Sequence, residues 1–252
     1  MIHVATAVAY RVIKKSITNV SFLLPSLMFP VIFFVGFAGA LSGVDRVPGF
    51  EYEPGYETFQ FAFVLVQSAA MGGVFTGFGI AQDFERGFAR RLMIAAPRRS
   101  GILVGYAVAT MIRWVMNIAV VLAIGLLIGM EILGNGLDLF GLLLLGLTVN
   151  LIGTLWAAGV ALRLRSTQAG PIMQFPIFLV IFLAPVFVPI DLLTGWIHAV
   201  AGVNPFTAFI EGARSRLAGS TDEVGVAFGV AVPLAALCGL WALTGLRSAE
   251  RG

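Results

Sequence analysis

Six long apolar stretches, with almost no charged residues inside them, constrain this chain more than any other feature of its sequence. A helix needs about 20 mostly apolar residues to cross the ~30 Å hydrocarbon layer of a bilayer. Because 59% of the residues are apolar and only 12% are charged, a single soluble interior could not hide them. The sequence therefore predicts an all-α polytopic membrane protein, built as one domain over residues 1–252. The six predicted spans are 20–42, 59–81, 105–130, 137–162, 171–189 and 224–246.

The positions of Lys and Arg predict the orientation of the chain, because short cytoplasmic loops retain positive charge. With a cytoplasmic N-terminus, 12 of the 16 basic residues lie in the cytoplasm and 3 lie outside, while Arg113 falls inside the third span. We therefore expect a multi-pass protein of the cell membrane with both termini in the cytoplasm. The basic residues are scattered over short loops, so the net charge of +3 does not indicate a nucleic-acid partner.

Two segments on the predicted cytoplasmic side have helical spacing but are too polar to span. In residues 1–19, apolar positions recur at helical spacing beside three basic residues, which favours a helix in the membrane interface. A loosely ordered positive tail is the alternative. In residues 83–97, Phe84, Phe88 and Leu92 recur every four residues and Pro97 ends the pattern, which predicts a short amphipathic helix. This helix is expected either to bind a partner protein or to lie with its Phe side chains against the lipid headgroups.

The external segment 190–223 is predicted to form two half-length helices before the last span. Asn204 and Pro205 break the pattern, and Glu211 and Arg214 form an i,i+3 pair on the second helix. Such a pair of short helices favours a re-entrant or interfacial hairpin at the outer face. An ordinary amphipathic loop is the alternative.

Arg113 is the one Lys or Arg inside a predicted span, and two asparagines in the spans are candidates for polar contacts. Arg113 lies in the third span with Asn117 one turn further on, and Asn150 lies in the fourth. A buried arginine costs at least ~2.5 kcal/mol on insertion scales, so we expect Arg113 to reach the cytoplasmic interface or to pair with Asp83 or Glu85. A polar contact in a transport path is the alternative for Arg113. Asn150 is expected to hydrogen-bond between helices rather than to bind cargo.

Small residues at G-x-x-x-G spacing permit close contact between helices. The spacing occurs at Gly39 and Gly43 and again at Gly73 and Gly77. With 30 glycines in the chain, chance alone produces such pairs, so the pattern is a weak signal.

The chemistry needed to drive transport is absent from the sequence. Lys14 and Lys15 are the only lysines and neither follows a glycine-rich loop, so the chain has no P-loop for ATP. Only Asp138, the second residue of the fourth span, is an Asp or Glu inside a predicted span, and none lies deeper, which weighs against an ion-coupled carrier. Neither a catalytic constellation nor a metal-ligand cluster is visible, and the single Cys238 excludes an intramolecular disulfide. We expect the chain not to be an enzyme.

Two motifs make the chain resemble the permease subunits of ABC type-2 exporters, the class that includes drug-resistance and polysaccharide-export permeases. The segment Glu85-Arg86-Gly87-Phe88-Ala89-Arg90-Arg91-Leu92, continued to Ala96-Pro97, resembles the family's cytoplasmic Glu, Gly, Leu and Pro pattern. The segment from Trp196 through Asn204-Pro205-Phe206-Thr207 to Glu211 and Arg214 resembles the family's pattern before the last span. Phe88 stands where a Thr is common, and Arg90-Arg91 where an acidic residue is frequent.

The resemblance implies that 83–97 is a coupling helix that docks on a separately encoded ATP-binding-cassette ATPase. ATP and Mg would bind in that partner, and this chain would carry no cofactor. The implied coupling residues are Phe84, Glu85, Arg86, Gly87, Phe88, Arg91, Leu92 and Pro97. Two permeases, identical or related, would pair in the lipid bilayer. The apolar, Phe-rich chain favours an amphiphilic drug, antibiotic or lipid as exported cargo.

Two other classes of function remain open from the sequence. An ion-coupled or facilitative secondary transporter would move cargo without a partner ATPase. A membrane anchor or assembly factor would bind partners without any cargo flux.

Overall fold

The computed structural model describes residues 2–18, 20–95 and 99–251, and these residues form helices and connecting loops without a β-strand. We number the α-helices in chain order. They are α1 (Ile2–Thr18), α2 (Val20–Ala40), α3 (Gly55–Glu85), α4 (Phe88–Ala95), α5 (Ser100–Leu127), α6 (Gly136–Leu164), α7 (Gly170–Phe182), α8 (Trp196–Val203), α9 (Pro205–Leu217) and α10 (Val224–Arg251).

Four described helices are long and apolar enough to cross a membrane, namely α3, α5, α6 and α10. Two shorter apolar stretches, Ser26–Ala40 and Thr167–Phe182, lie where the first and fifth spans are predicted. The prediction of a continuous helix over 171–189 is wrong, because α7 ends at Phe182 after 13 residues. Such a helix rises only about 20 Å, and Pro185 and Pro189 prevent it from continuing.

Helix α3 forms the centre of the bundle. Its most apolar window is 78% buried within the protein, whereas the corresponding windows of the other three long helices are 22–44% buried. The side chains of α3 therefore contact other helices, whereas α5, α6 and α10 leave large apolar surfaces free to face lipid. Any movement of α3 must displace the helices packed around it.

The contact between α3 and α6 is close enough to exclude side chains. A Cβ atom added at Gly73 would lie 2.2 Å from the backbone nitrogen of Thr154, and one added at Gly153 would lie 2.4 Å from the carbonyl oxygen of Ala70. Asn150 of α6 donates to the carbonyl of Ala69 at 2.9 Å across the same contact. Of the two G-x-x-x-G pairs, the one on α3 packs against a neighbour, while a Cβ at Gly39 or Gly43 would meet nothing within 4 Å.

The loop that the sequence places in the cytoplasm differs from its predicted form. Asp83, Phe84 and Glu85 continue α3, and the separate helix α4 begins only at Phe88. Gly87 forms the turn between them with φ +70°, a conformation that glycine adopts without steric cost. Pro97, the predicted end of the coupling helix, lies outside the described residues.

The N-terminal helix α1 lies against α5 rather than apart from the bundle. A Cβ at Gly105 of α5 would come within 2.7 Å of the carbonyl oxygen of Ala5 and of the Val8 side chain, so the helices touch at this glycine. At the other end of the molecule, α8 and α9 form the predicted pair of short helices, joined at Asn204. The 190–223 segment thus contains two short helices rather than an irregular loop.

We expect Gly73→Ala to destabilise the protein by about 1–3 kcal/mol, because the new methyl group would force α3 and α6 apart. The measurement is the free energy of unfolding in mixed detergent micelles. Gly39→Ala is the matched control, since it adds the same methyl group in open space and should be neutral or slightly stabilising. Equal losses in the two variants would contradict the close contact.

Candidate functional site

An ion pair joins α1 to the end of α3. Arg11 donates from both terminal guanidinium nitrogens to Asp83, at 2.7 Å and 2.8 Å, and the Tyr106 hydroxyl of α5 donates to the same carboxylate. The Asp83 side chain is only 3% exposed, so its charge needs these partners. The hydrogen bond to Asp83 raises the pKa of Arg11 above its ordinary value. Three helices thus meet at one carboxylate.

Helix α1 also contacts the start of α4. The guanidinium carbon of Arg11 lies 3.7 Å from the centroid of the Phe88 ring, and Lys15 donates to the Gln82 side chain at 2.8 Å. A guanidinium over an aromatic face is attractive because the ring face is electron-rich. Arg11 therefore holds α4 and α3 together from one position.

Glu85, the last residue of α3, binds the second loop on this side of the bundle. Its carboxylate accepts hydrogen bonds from the Thr167 backbone nitrogen at 2.7 Å, the Thr167 hydroxyl at 3.0 Å and the Ser166 hydroxyl at 3.2 Å. Ser166 and Thr167 lie between α6 and α7. A displacement of Glu85 would therefore be transmitted to the start of α7.

The predicted coupling residues separate into an inner and an outer group. Phe84 is buried, and Phe88 and Leu92 are partly buried against α1 and the core, so the apolar residues of the motif face the protein. Gly87 forms the turn before α4. The exposed residues of this segment are Glu85, Arg86, Arg90, Arg91, Ile94 and Ala95. A partner approaching α4 would therefore meet mainly arginines and Ile94.

The three intramembrane residues singled out in the sequence, Arg113, Asn117 and Asn150, bond to backbone carbonyls of neighbouring helices. Arg113 donates to the carbonyl of Gly72 at 2.8 Å and to the Thr76 hydroxyl at 3.1 Å. Of the two expectations for Arg113, the pairing with Asp83 or Glu85 is not found, since its guanidinium bonds to Gly72 and Thr76 while those carboxylates accept from Arg11 and from the 166–167 loop. Asn117 donates to the carbonyl of Ser26 at 3.2 Å, and Asn150 makes the bond to Ala69 described above.

The predicted external motif organises the segment between α7 and α9. The Asn204 side chain accepts from the Phe206 backbone nitrogen at 2.9 Å and donates to the carbonyl of Val180 at 2.6 Å. Pro205 occupies the first position of α9, where a missing N–H costs nothing. Asn204 thus begins α9 and ties it to α7.

Arg214 is almost fully buried, with 2% of its side chain exposed, and is paired with Glu211 at 2.7 Å. It also donates to the carbonyl of Pro185 at 2.9 Å, and its guanidinium carbon lies 3.3 Å from the centroid of the Phe59 ring. These contacts join α9 to α3 and to the loop after α7. Trp196, in contrast, is 71% exposed at the start of α8.

Sequence reasoning did not identify the contacts of Arg11, Tyr106, Ser166 and Thr167. Opposite charges on the N-terminal helix and at the end of α3 were a visible signal, because both segments were placed on the same side of the membrane. The Ser-Thr pair after α6 was a further signal, since hydroxyl residues often begin helical turns. Only the fold shows that Glu85 lies beside that pair.

We expect the Arg11–Asp83 pair to show a coupling of about 1–2 kcal/mol in a double-mutant cycle of the alanine variants. The value lies at the low end for charged hydrogen bonds because Arg11 is 35% exposed and partly screened. The measurement is unfolding in mixed micelles. The control pair is Arg46 and Asp45, separated by 3.9 Å and well exposed, whose coupling should be close to zero. Similar coupling in both pairs would rule out a special role for Asp83.

Comparison with known proteins places this geometry in context. The family model described as ABC-2 type transporter matches residues 4–217. A daunorubicin resistance ABC transporter permease protein, DrrB1 of Streptomyces coeruleorubidus, is 24% identical over 221 residues, which cover 85% of this chain and 76% of that protein. The matched region extends from α1 to the end of α9, so it contains both motifs.

Proposed function

Because the chain belongs to the ABC-2 type transporter family, we propose that it is the permease subunit of an ATP-driven exporter that moves an amphiphilic drug, antibiotic or lipid-like molecule outward. Members of this family are multi-pass membrane proteins, and we expect this chain to have no ATPase site of its own. ATP and Mg would be bound by a separate ATP-binding-cassette subunit. Two permeases, identical or related, would form the transport unit, with six spans and both termini in the cytoplasm.

The observation that carries the proposal is the set of bonds around the end of α3. A push on α4 reaches α1 through Phe88 and Arg11, α3 through the Gly87 turn, and α7 through Glu85 and Thr167. Coupling requires that ATP binding favour one permease state over another, which needs a rigid connection between the docking surface and the spans. The buried α3 provides that connection because it contacts most of the bundle.

An apolar cleft is consistent with the proposed cargo. It has a volume of about 200 Å³ and lies between α3, α6, α7, α9 and α10. Trp156, Ile177 and Phe206 are among its lining residues, which are all apolar. The daunorubicin resistance named for the relative suggests a drug of comparable polarity as the first cargo to assay.

We expect Gly87→Pro to abolish drug efflux while the protein still inserts and purifies with its ATPase. Proline holds φ near −65°, whereas Gly87 has φ +70°, so the turn that aims α4 would be lost. The measurement is efflux of daunorubicin from cells that express the chain together with its proposed ATPase subunit. Gly129→Pro is the matched control, because Gly129 also has positive φ but lies between α5 and α6, away from α4. Normal efflux by Gly87→Pro would contradict coupling through α4.

Affinity purification of the chain from its native membrane tests the class of transporter. We expect an ATP-binding-cassette subunit to purify with it in stoichiometric amount, identified by mass spectrometry. Recovery of the chain alone, still transporting after reconstitution, would support a secondary carrier instead. Recovery with other partners and without cargo flux would support an assembly factor.

A further inference from the structure

A basic cleft lies beside α4, apart from the bonds at the end of α3. Its volume is about 210 Å³. The residues that line it are Phe84, Arg90, Met93, Ile94, Arg99, Arg165 and Ala249. They come from α4 and from the ends of α3, α5, α6 and α10, because Arg99 precedes α5, Arg165 follows α6 and Ala249 lies near the end of α10. The cleft therefore opens at one end of the bundle, where the long apolar helices stop.

Two of the three arginines have no acidic partner among the described residues. Arg90 is exposed on α4, and neither it nor Arg165 forms a salt bridge within ranges 2–18, 20–95 and 99–251. Arg165 makes one long hydrogen bond, 3.3 Å to the carbonyl of Ser248, while its buried Nε atom has no partner. Arg99 donates to the carbonyl of Met93 at 3.1 Å. The charges of Arg90 and Arg165 are thus not compensated by the carboxylates that form ion pairs elsewhere in the described residues.

The backbone at Arg165 adds an independent observation. Its φ of 53° makes it the one described non-glycine residue with positive φ, at the position after α6 where glycine is most common. The left-handed conformation is unfavourable for a residue with a Cβ. A guanidinium held at such a position indicates a use for the side chain, because glycine would form the helix end more easily.

The walls of the cleft suit a molecule with an anionic head and an apolar body. Phe84 and Met93 form apolar wall next to the guanidiniums, and Ile94 is 85% exposed at the rim. Guanidinium groups bind phosphate oxygens in bidentate geometry, and basic pockets between membrane helices bind anionic lipid headgroups. A carboxylate from a docked protein would satisfy the arginines but would leave this apolar wall at the membrane boundary uncovered.

We propose that this cleft binds the phosphate headgroup of an anionic phospholipid, with Arg90 and Arg165 on the phosphate and the acyl chains along α10. The lipid would fill the space between α4 and the ends of α6 and α10. The bound lipid would thereby link the position of α4 to the lipid composition of the surrounding leaflet. The site belongs to this chain alone and requires no partner ATPase.

The test is lipid binding to the purified, delipidated chain in detergent, followed by native mass spectrometry with phosphatidylglycerol or phosphatidylcholine. The unaltered chain should bind phosphatidylglycerol preferentially, and Arg90→Gln with Arg165→Gln should weaken that binding about tenfold. Arg247→Gln is the control, because it removes one exposed positive charge near the same end of α10 without touching the cleft. It should change the affinity less than twofold.

Two further variants distinguish loss of the binding site from misfolding of the protein. Arg165→Gly removes the guanidinium while relieving the positive-φ strain, so it should lose lipid preference without losing thermal stability. Arg165→Lys should retain part of the preference. Equal binding of the two lipids, unchanged binding by the double glutamine variant, or equally tight binding of inorganic phosphate alone would each overturn the proposal. Equal lipid binding would also favour a carboxylate of a docked protein as the occupant.

Discussion

The close contact of α3 with α6 is the constraint on which the rest of the structure depends. Between helices in lipid no hydrophobic force favours protein over bilayer, so packing and interhelical hydrogen bonds must hold them together. Gly73 and Gly153 bring the two backbones into direct contact, and that proximity places Asn150 beside the carbonyl of Ala69. With α3 fixed at the centre, Arg113 of α5 can also reach α3, where it donates to the carbonyl of Gly72. Polar residues that would be costly in lipid thus become links between spans.

The end of α3 concentrates the charged contacts because it emerges from the apolar layer there. Asp83 is still buried and is neutralised by Arg11, whereas Glu85, two residues later, is exposed and binds the loop before α7. These two carboxylates point to different helices, so one helix end organises two separate parts of the bundle. Arg90 and Arg165 of the basic cleft lie outside this set and form no ion pair within the described residues.

Periodicity and composition were sufficient to predict the helical class, the long spans at α3, α5, α6 and α10, the N-terminal helix and the pair of short helices joined at Asn204. They did not predict the end of α7, because an apolar run of 171–189 reads as one span although Pro185 and Pro189 interrupt it. Helical spacing across Phe84, Phe88 and Leu92 also concealed the Gly87 turn, since the three residues face inward on both sides of it. The partners of Arg11, Glu85 and Arg113 depend on which helices are neighbours, and a single sequence does not encode that in any local pattern.

The bond between Glu85 and Thr167 has a consequence for how the protein is made. The two residues are separated by 82 positions, so Glu85 leaves the ribosome well before its donors exist. At about 5–20 residues per second, the delay is roughly 4–16 s. During that interval α3 is already available for insertion, while the loop that completes its end is still untranslated. The surface around α4 therefore reaches its final form only after α6 has been synthesised, which makes its maturation a late event in biogenesis.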